Sequence, residues 1–162
     1  MSSWLKRVAD GLTAAVRPLF DGINLPRLRP GSSDATEVRH RLGEPTRVFR
    51  NADGSETWEY TRQPGGTVCY MIDLNTEHFV TAVRQVLTND NLRRVQIGMA
   101  QDDVLRLLGT PARKTVFDNL GEDIWEWRIE GVPSFDETYF MVHFALSDGY
   151  VKKTSSRVAT RG

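Results

Sequence analysis

The sequence predicts an α+β fold of two tandem repeats, each with short helices packed on an antiparallel β-meander. Three observations lead to this prediction. A motif of glycine, a helical stretch, Leu-Gly-x-Pro, a turn and a tryptophan occurs twice. Aromatic and polar residues alternate after each copy, as in strands with one buried face. Turn signals such as Asp53-Gly54 separate the predicted strands.

The repeat rests on matched glycine, proline and tryptophan positions. Such residues rarely coincide by chance, so we interpret the match as a tandem duplication. The predicted boundaries are 1–23 for an N-terminal amphipathic segment, 24–88 and 89–158 for the two repeats, and 159–162 for a tail. The matched pairs are Gly31 and Gly98, Leu42 and Leu108, Gly43 and Gly109, Pro45 and Pro111, Trp58 and Trp125, and Glu59 and Glu126.

Each repeat is predicted to begin with a short helix. In the first repeat, Asp34 stands three residues before Glu37, which is a capping-box pattern. Gly43 suits the conformation that follows a helix end, and Pro45 prevents the helix from continuing. The second repeat carries the same signals, with an apolar face formed by Val104, Leu107 and Leu108 before Gly109 and Pro111.

Strands are predicted after each helix. In the first repeat they cover 47–50, 55–60, 68–74 and 79–87, and in the second 115–117, 123–129 and 140–146, followed by a turn into residues 150–151. Residues 152–162 are polar and are predicted to fray. The alternation places four aromatic residues in the core: Trp58, Tyr60, Trp125 and Trp127.

Composition limits the class of protein. The 162 residues contain 21 Lys+Arg and 21 Asp+Glu, and this balance argues against a nucleic-acid binder. One cysteine, Cys69, is too few for a disulfide scaffold or a Cys-rich zinc module and is predicted to be a small buried hydrophobe. No apolar run approaches the about 18 residues of a membrane span. A soluble globular protein is therefore expected.

The sequence shows no pattern typical of an enzyme or a cofactor site. His40, His78 and His143 lack the spacing of metal ligands, so neither a metal nor another cofactor is expected. His143 alternates with apolar neighbours and is predicted to be a surface histidine that points away from the core. No phosphate loop and no Gly-x-Ser-x-Gly elbow occur. We predict that the protein is not an enzyme; an enzyme that uses His143 with nearby carboxylates is the weaker alternative.

The two motif copies resemble the SmpA/OmlA (BamE-like) family. The resemblance covers roughly residues 25–158 and implies small α+β domains with two helices on a three-stranded antiparallel sheet. In tandem, this topology is similar to that of the β-lactamase inhibitor protein. Typical members are accessory lipoproteins of outer-membrane β-barrel assembly, and they bind protein and lipid rather than catalyse a reaction. The sequence departs from the pattern in having two copies and no lipid-bearing cysteine or signal peptide, so a cytoplasmic location stays open.

The resemblance and the missing catalytic patterns predict a non-catalytic protein-interaction module of the cell envelope, on the periplasmic side of the outer membrane. Two polar sheet faces suit a protein partner better than a small-molecule substrate. β-Barrel assembly components are the expected partners; nucleic acid is not expected. The alternative is a soluble inhibitor or binding protein that blocks an enzyme through the same face. The predicted partner-binding residues are Thr57, Glu59, Glu126, Arg128 and His143.

Residues 3–20 show helical spacing of apolar side chains. We interpret them either as a helix that docks on the body of the protein or frays, or as an interfacial helix that touches a membrane or a partner. Pro18 limits its C-terminal extent. The apolar positions are Trp4, Leu5, Val8, Leu12, Val16 and Leu19.

Overall fold

A computed structural model of the protein describes residues 28–131 and 136–160. Of these, residues 28–60 and 70–85 form one compact unit, and residues 61–69 and 86–160 form another. The loop 61–69 therefore clusters with the second unit, although the sequence places it in the first repeat. The repeat boundaries 24–88 and 89–158 depend on the tandem duplication, and they remain a prediction. The candidate membrane helix at 3–20 lies outside the described residues.

The first sheet has four antiparallel strands in the order β1-β2-β3-β4, preceded by helix α1. Asp34 caps α1, since its Oδ1 accepts a hydrogen bond from the Glu37 backbone N–H at 2.8 Å. The Glu37 carboxylate accepts from Arg41, one turn further along the helix, at 2.7 Å. The elements are α1 (Ala35–Leu42), β1 (Arg47–Arg50), β2 (Glu56–Thr61), β3 (Cys69–Leu74) and β4 (Val80–Gln85).

The second sheet has the same antiparallel order, β5-β6-β7-β8, and follows two helices. Thr88 caps the first of these helices through its hydroxyl, which accepts from the Asn91 backbone N–H at 3.3 Å. The elements are α2 (Asn89–Arg94), α3 (Gln101–Leu108), β5 (Arg113–Phe117), β6 (Glu122–Ile129), β7 (Glu137–Ala145) and β8 (Val151–Ala159). The prediction of an α+β fold is confirmed.

The predicted aromatic core is confirmed. Trp58, Tyr60, Trp125 and Trp127 are all buried, and so is Cys69. In the second unit the buried side chains of α3 are Val104, Leu105 and Leu108, so Leu105 replaces the predicted Leu107 on the core side of the helix. Because alternate residues of β6 face the core, its glutamates lie on the opposite side of the sheet.

The two units repeat the same polar contacts at matched positions. The Tyr60 hydroxyl donates to the Gly43 carbonyl oxygen at 2.9 Å, and Trp127 Nε1 donates to the Gly109 carbonyl oxygen at 3.0 Å. Both glycines have φ near +79°, a backbone conformation that other residues rarely adopt. The aromatic residue of each strand thus holds the end of the helix that precedes it, which explains why both occur in the motif.

In the second unit one prediction is wrong and one helix was not predicted. Residues 152–162 were expected to fray, but Val151–Ala159 form the nine-residue strand β8. This strand has no apolar alternation, because its side chains are exposed on one side of the sheet and form ion pairs on the other. Helix α2 was also missed: its six residues are too few for a periodic pattern.

Candidate functional site

The side of the second sheet opposite Trp125 and Trp127 carries most of its charged side chains, and we call it the outer face. All four strands contribute to it, in the register that pairs Arg113 with Glu126, Glu126 with Met141 and Met141 with Ser155. The outer face comprises Arg113 and Thr115 of β5, Glu122, Ile124, Glu126 and Arg128 of β6, Glu137, Tyr139, Met141 and His143 of β7, and Lys153, Ser155 and Arg157 of β8. Lys152, whose ammonium binds Glu122, is counted with them.

Two arginines share one carboxylate near the centre of this face. Arg113 Nε and Arg157 Nε each lie 2.6 Å from a different oxygen of Glu126, whose side chain is almost fully buried. Burial acts to raise the pKa of Glu126, but the hydrogen bonds from Arg157 and Arg113 outweigh it and hold this pKa below its usual value. The arginines remain partly exposed, so the carboxylate fixes their position and leaves their outer edges accessible to a partner.

A second group surrounds Tyr139. The Arg157 guanidinium lies 4.2 Å from the Tyr139 ring centre, and the Tyr139 hydroxyl donates to Glu137 at 2.7 Å. That hydrogen bond and burial raise the pKa of Tyr139. Glu137 also accepts from Arg128 at 3.1 Å. One more Arg128 nitrogen donates to the Gly65 carbonyl oxygen at 3.0 Å, so the loop 61–69 helps to hold this arginine.

The third group contains the buried histidine. Oxygen Oε2 of Glu122 lies 2.8 Å from His143 Nδ1, and His143 Nε2 lies 2.8 Å from the Ser155 hydroxyl. The other oxygen of Glu122 accepts from Lys152 at 3.1 Å and from Lys153 at 3.3 Å. The hydrogen bond to His143, assisted by both lysines, lowers the pKa of Glu122 to about 2. Glu122 is therefore a carboxylate at neutral pH.

The first sheet has a smaller polar group at its equivalent side. The Thr57 hydroxyl donates to Asp73 at 2.8 Å, and Asp73 accepts two hydrogen bonds from Arg84, at 2.8 and 2.9 Å. Glu59 is fully buried and lies 3.9 Å from Arg47 Nε. Arg47 and Glu59 match Arg113 and Glu126 of the second unit, but the first unit has the looser contact.

The predicted site residues lie on the expected sides of the two sheets, but three of them do not present their charge or ring to solvent. Glu59, Glu126 and His143 are all buried, so the expectation that His143 is a surface residue is wrong. Arg128 is largely covered by Glu137 and the loop 61–69. Thr57 is half-buried. Their role in binding a partner stays a prediction.

The exposed members of the outer face were missed. Arg113, Lys152, Lys153 and Arg157 place cations around the buried carboxylates. Lys153, Ser155 and Arg157 are alternate residues of β8. Assigning residues 151–159 to a strand would therefore have placed these three side chains together on one side of the sheet. Within residues 28–131 and 136–160, no group of His, Cys, Asp and Glu side chains is arranged to hold a metal ion. No helix in these ranges has the length and apolar character needed to cross a bilayer.

Part of the chain matches a known family in sequence. The model of the outer membrane protein assembly factor BamE domain matches residues 85–123. This segment runs from the end of β4 through α2, α3 and β5 to the start of β6, and it contains Gly98, Gly109 and Pro111 of the second motif copy. The resemblance inferred from the motifs is supported over this segment, whereas the duplication stays a prediction. No curated protein matches the chain.

Three solved structures show a distant likeness. A protein from Streptococcus mutans described as a β-lactamase inhibitor protein is 13% identical, with 77% of this chain and 82% of that chain covered and a TM-score of 0.32. A DUF4309 family protein from Bacillus subtilis is 10% identical, with 97% and 95% covered and a TM-score of 0.34. An extracellular protein containing a SCP domain from Bacillus anthracis is 12% identical, with 88% and 53% covered and a TM-score of 0.33. Likeness at this level carries no information on function.

Proposed function

We propose that the protein is a non-catalytic interaction module that acts as an accessory factor in outer-membrane β-barrel assembly, on the periplasmic side of the outer membrane. The BamE match at residues 85–123 supports the assignment to outer-membrane assembly. The outer face of the second sheet is the proposed partner-binding surface. Its partner is an envelope protein with an acidic surface.

The observation that carries this proposal is the surplus of fixed positive charge on the outer face. Five cationic side chains surround three carboxylates on this face. The cations are Arg113, Arg128, Lys152, Lys153 and Arg157, and the carboxylates they contact are Glu122, Glu126 and Glu137. Because the carboxylates hold the cations in place, a partner does not have to order them on binding. An acidic protein surface would complement this arrangement and would be steered to it before contact.

Removing exposed cations is expected to weaken capture of the partner without unfolding the protein. The double variant Arg113→Ala with Lys153→Ala removes two cations whose side chains are each more than half exposed. It leaves Glu126 bound to Arg157 and Glu122 bound to Lys152. Loss of rim charges changes association more than fold stability. Pull-down from a solubilised envelope fraction, with quantitative mass spectrometry, measures the effect; we expect about a tenfold loss of barrel-assembly components.

The matched control is Arg50→Ala, which removes an arginine that is 86% exposed and lies outside the outer face of the second sheet. We expect it to capture the same partners as the unaltered chain. Equal recovery by all three proteins would contradict the proposal. Capture of a single soluble enzyme through the outer face would instead favour the inhibitor alternative.

The N-terminal segment is proposed to contact the membrane surface through its apolar positions. Burial of Trp4, Leu12 and their apolar neighbours in the headgroup region would localise the protein at a bilayer. The full chain is then expected to co-sediment with anionic liposomes, and a variant lacking residues 1–22 to stay in the supernatant. Equal sedimentation of both would contradict membrane contact by this segment.

One observation favours a second candidate function, hydrolysis at Ser155. The order Glu122, His143, Ser155, with 2.8 Å at both steps, is the connectivity of an acid, a base and a nucleophile. A fluorophosphonate probe tests it: Ser155 Oγ would bond to phosphorus, its proton would move to His143 Nε2, and fluoride would leave. Labelling of Ser155 that is lost in His143→Gln would support catalysis. From the interaction proposal we expect no labelling above the level of Ser156, which is also on β8.

A further inference from the structure

A groove of about 410 Å³ lies in the second unit, between helix α2 and strands β7 and β8. Its lining combines three apolar residues, Leu92, Val95 and Phe140, with three polar ones. None of these residues belongs to the outer face of the sheet. The lining residues are Asn89, Leu92, Arg93, Val95, Phe140 and Thr154.

The core side of the second sheet is buried at β7 and exposed at β8. On β7, Phe140 and Val142 are buried. The β8 residues on the same side of the sheet are Thr154, Ser156 and Val158, which the register pairs with Val142, Phe140 and Thr138. All three are exposed, and Val158 is exposed to 61%. The core side of β8 therefore borders an open groove.

Strand β8 is also the last strand of its sheet. Within residues 28–131 and 136–160, its first residue alone has backbone partners on the far side: Gly98 N–H donates to the Val151 carbonyl oxygen at 2.8 Å, and Val151 N–H donates to the Met99 carbonyl oxygen at 2.9 Å. From Lys152 onward, no other strand of the described residues pairs with this edge. An open edge offers backbone N–H and C=O groups to any extended chain that lies alongside it.

The charge along this edge is positive. Strand β8 carries Lys152, Lys153 and Arg157 and no acidic residue. The two lysines share the single carboxylate of Glu122 and are each more than half exposed. Arg93, which lines the groove, is 76% exposed and pairs with the exposed carboxylate of Asp90 at 3.1 Å, so the surplus positive charge comes from β8. An extended segment bound here would thus be favoured by acidic side chains.

We propose that an acidic, extended segment of a partner protein adds to β8 as a fifth strand of the second sheet. Backbone hydrogen bonds to the free edge supply affinity, as in other cases of strand addition. Because side chains alternate along a strand, every second residue of the segment enters the groove above Leu92, Val95 and Phe140. The residues between them lie on the outer-face side, near Lys153 and Arg157. The groove and the backbone edge of β8 are not part of the outer face, although Lys153 and Arg157 border both sites, so failure of this proposal leaves the proposed function standing.

The test uses the full chain and a short fluorescent peptide in which glutamate alternates with valine. We expect saturable binding by fluorescence anisotropy, with a dissociation constant below about 1 mM. Hydrogen exchange of the complex is expected to slow at residues 154–158 and to leave β5, the opposite edge strand, unchanged. The same peptide with alternate backbone nitrogens methylated keeps its charge and should not bind, because it cannot donate the strand hydrogen bonds.

Two variants of an exposed groove residue separate specific binding from general charge attraction. Thr154→Glu places a like charge beside the peptide and is expected to raise the dissociation constant about tenfold. The matched control Thr154→Gln has nearly the same size without the charge and should bind within about twofold of the unaltered chain. Because Thr154 is exposed, we expect both variants to fold like the unaltered chain, and circular dichroism checks this.

Three results would overturn the proposal. The first is no binding at about 1 mM peptide. The second is exchange protection confined to the outer face, at Tyr139 and His143, with none at β8. The third is protection of residues 154–158 without peptide in a chain that sediments as a dimer, which would assign the edge to a second copy of the protein.

Discussion

Replacing Trp127 with Ala is expected to lower the free energy of unfolding by about 3–5 kcal/mol. Trp127 has no exposed surface, and its ring centre lies 6.3 Å from that of Trp125. Its Nε1 donates to the Gly109 carbonyl oxygen at 3.0 Å, so the substitution also removes the tie between β6 and the end of α3. Urea unfolding followed by circular dichroism measures the change.

Trp127→Phe separates packing from the hydrogen bond. Phenylalanine keeps an aromatic ring but cannot donate to Gly109, and a buried carbonyl without its partner costs about 1–3 kcal/mol. The Phe variant is therefore expected to fall between the unaltered chain and the Ala variant. A midpoint for Trp127→Ala equal to that of the unaltered protein would contradict the assignment of the sheet faces.

Replacing Glu122 with Gln is expected to cost about 1–3 kcal/mol at neutral pH, because the buried acceptor of one histidine and two lysines loses its charge. The cost should depend on pH in a defined direction. The pKa of Glu122 is about 2 in the folded protein, against an ordinary value of 4.5. Because the folded protein favours the ionised form of Glu122, this carboxylate stabilises the fold at pH values above its unfolded-state pKa. The stabilisation is lost as the pH falls from about 4.5 toward about 2.

Urea midpoints of the unaltered chain and of Glu122→Gln, measured from pH 7 to pH 2, test this expectation. The difference between the two proteins should be largest above pH 5 and should shrink as the pH is lowered. Asp118→Asn is the matched control, because it neutralises an exposed carboxylate near the same hairpin. A gap for Glu122→Gln that stays constant or widens in acid would contradict the account of this carboxylate.

Local signals in the sequence were sufficient for most of the fold. Gly43 and Gly109 end their helices with positive φ, as a glycine before a proline predicts. Alternation along β2 and β6 placed Trp58 and Trp125 on the buried side. These features depend on residues a few positions apart, and therefore a single sequence contains them.

The candidate site was only partly predictable, since it depends on distant residues and strand register. Glu126 binds Arg157, which lies 31 positions away and becomes a neighbour only when β7 and β8 pair. The polar sequence of β8 gave no sign of a strand, so this partner was missed. Alternation also predicts which side of a sheet a residue faces, but not whether its neighbours cover it. His143 faces the expected side of the sheet, yet only 6% of its surface is exposed.

Site-specific photo-crosslinking from the outer face tests the central claim most directly. A photoreactive residue at Thr115, half-buried on the outer face, is compared in cells with one at Asp103, exposed on α3. The proposed function predicts a crosslink from Thr115 to an envelope protein of the barrel-assembly machinery, weakened by Arg113→Ala, and none to that protein from Asp103. Crosslinks to that protein from Asp103 alone, or from neither position, would contradict binding through the outer face.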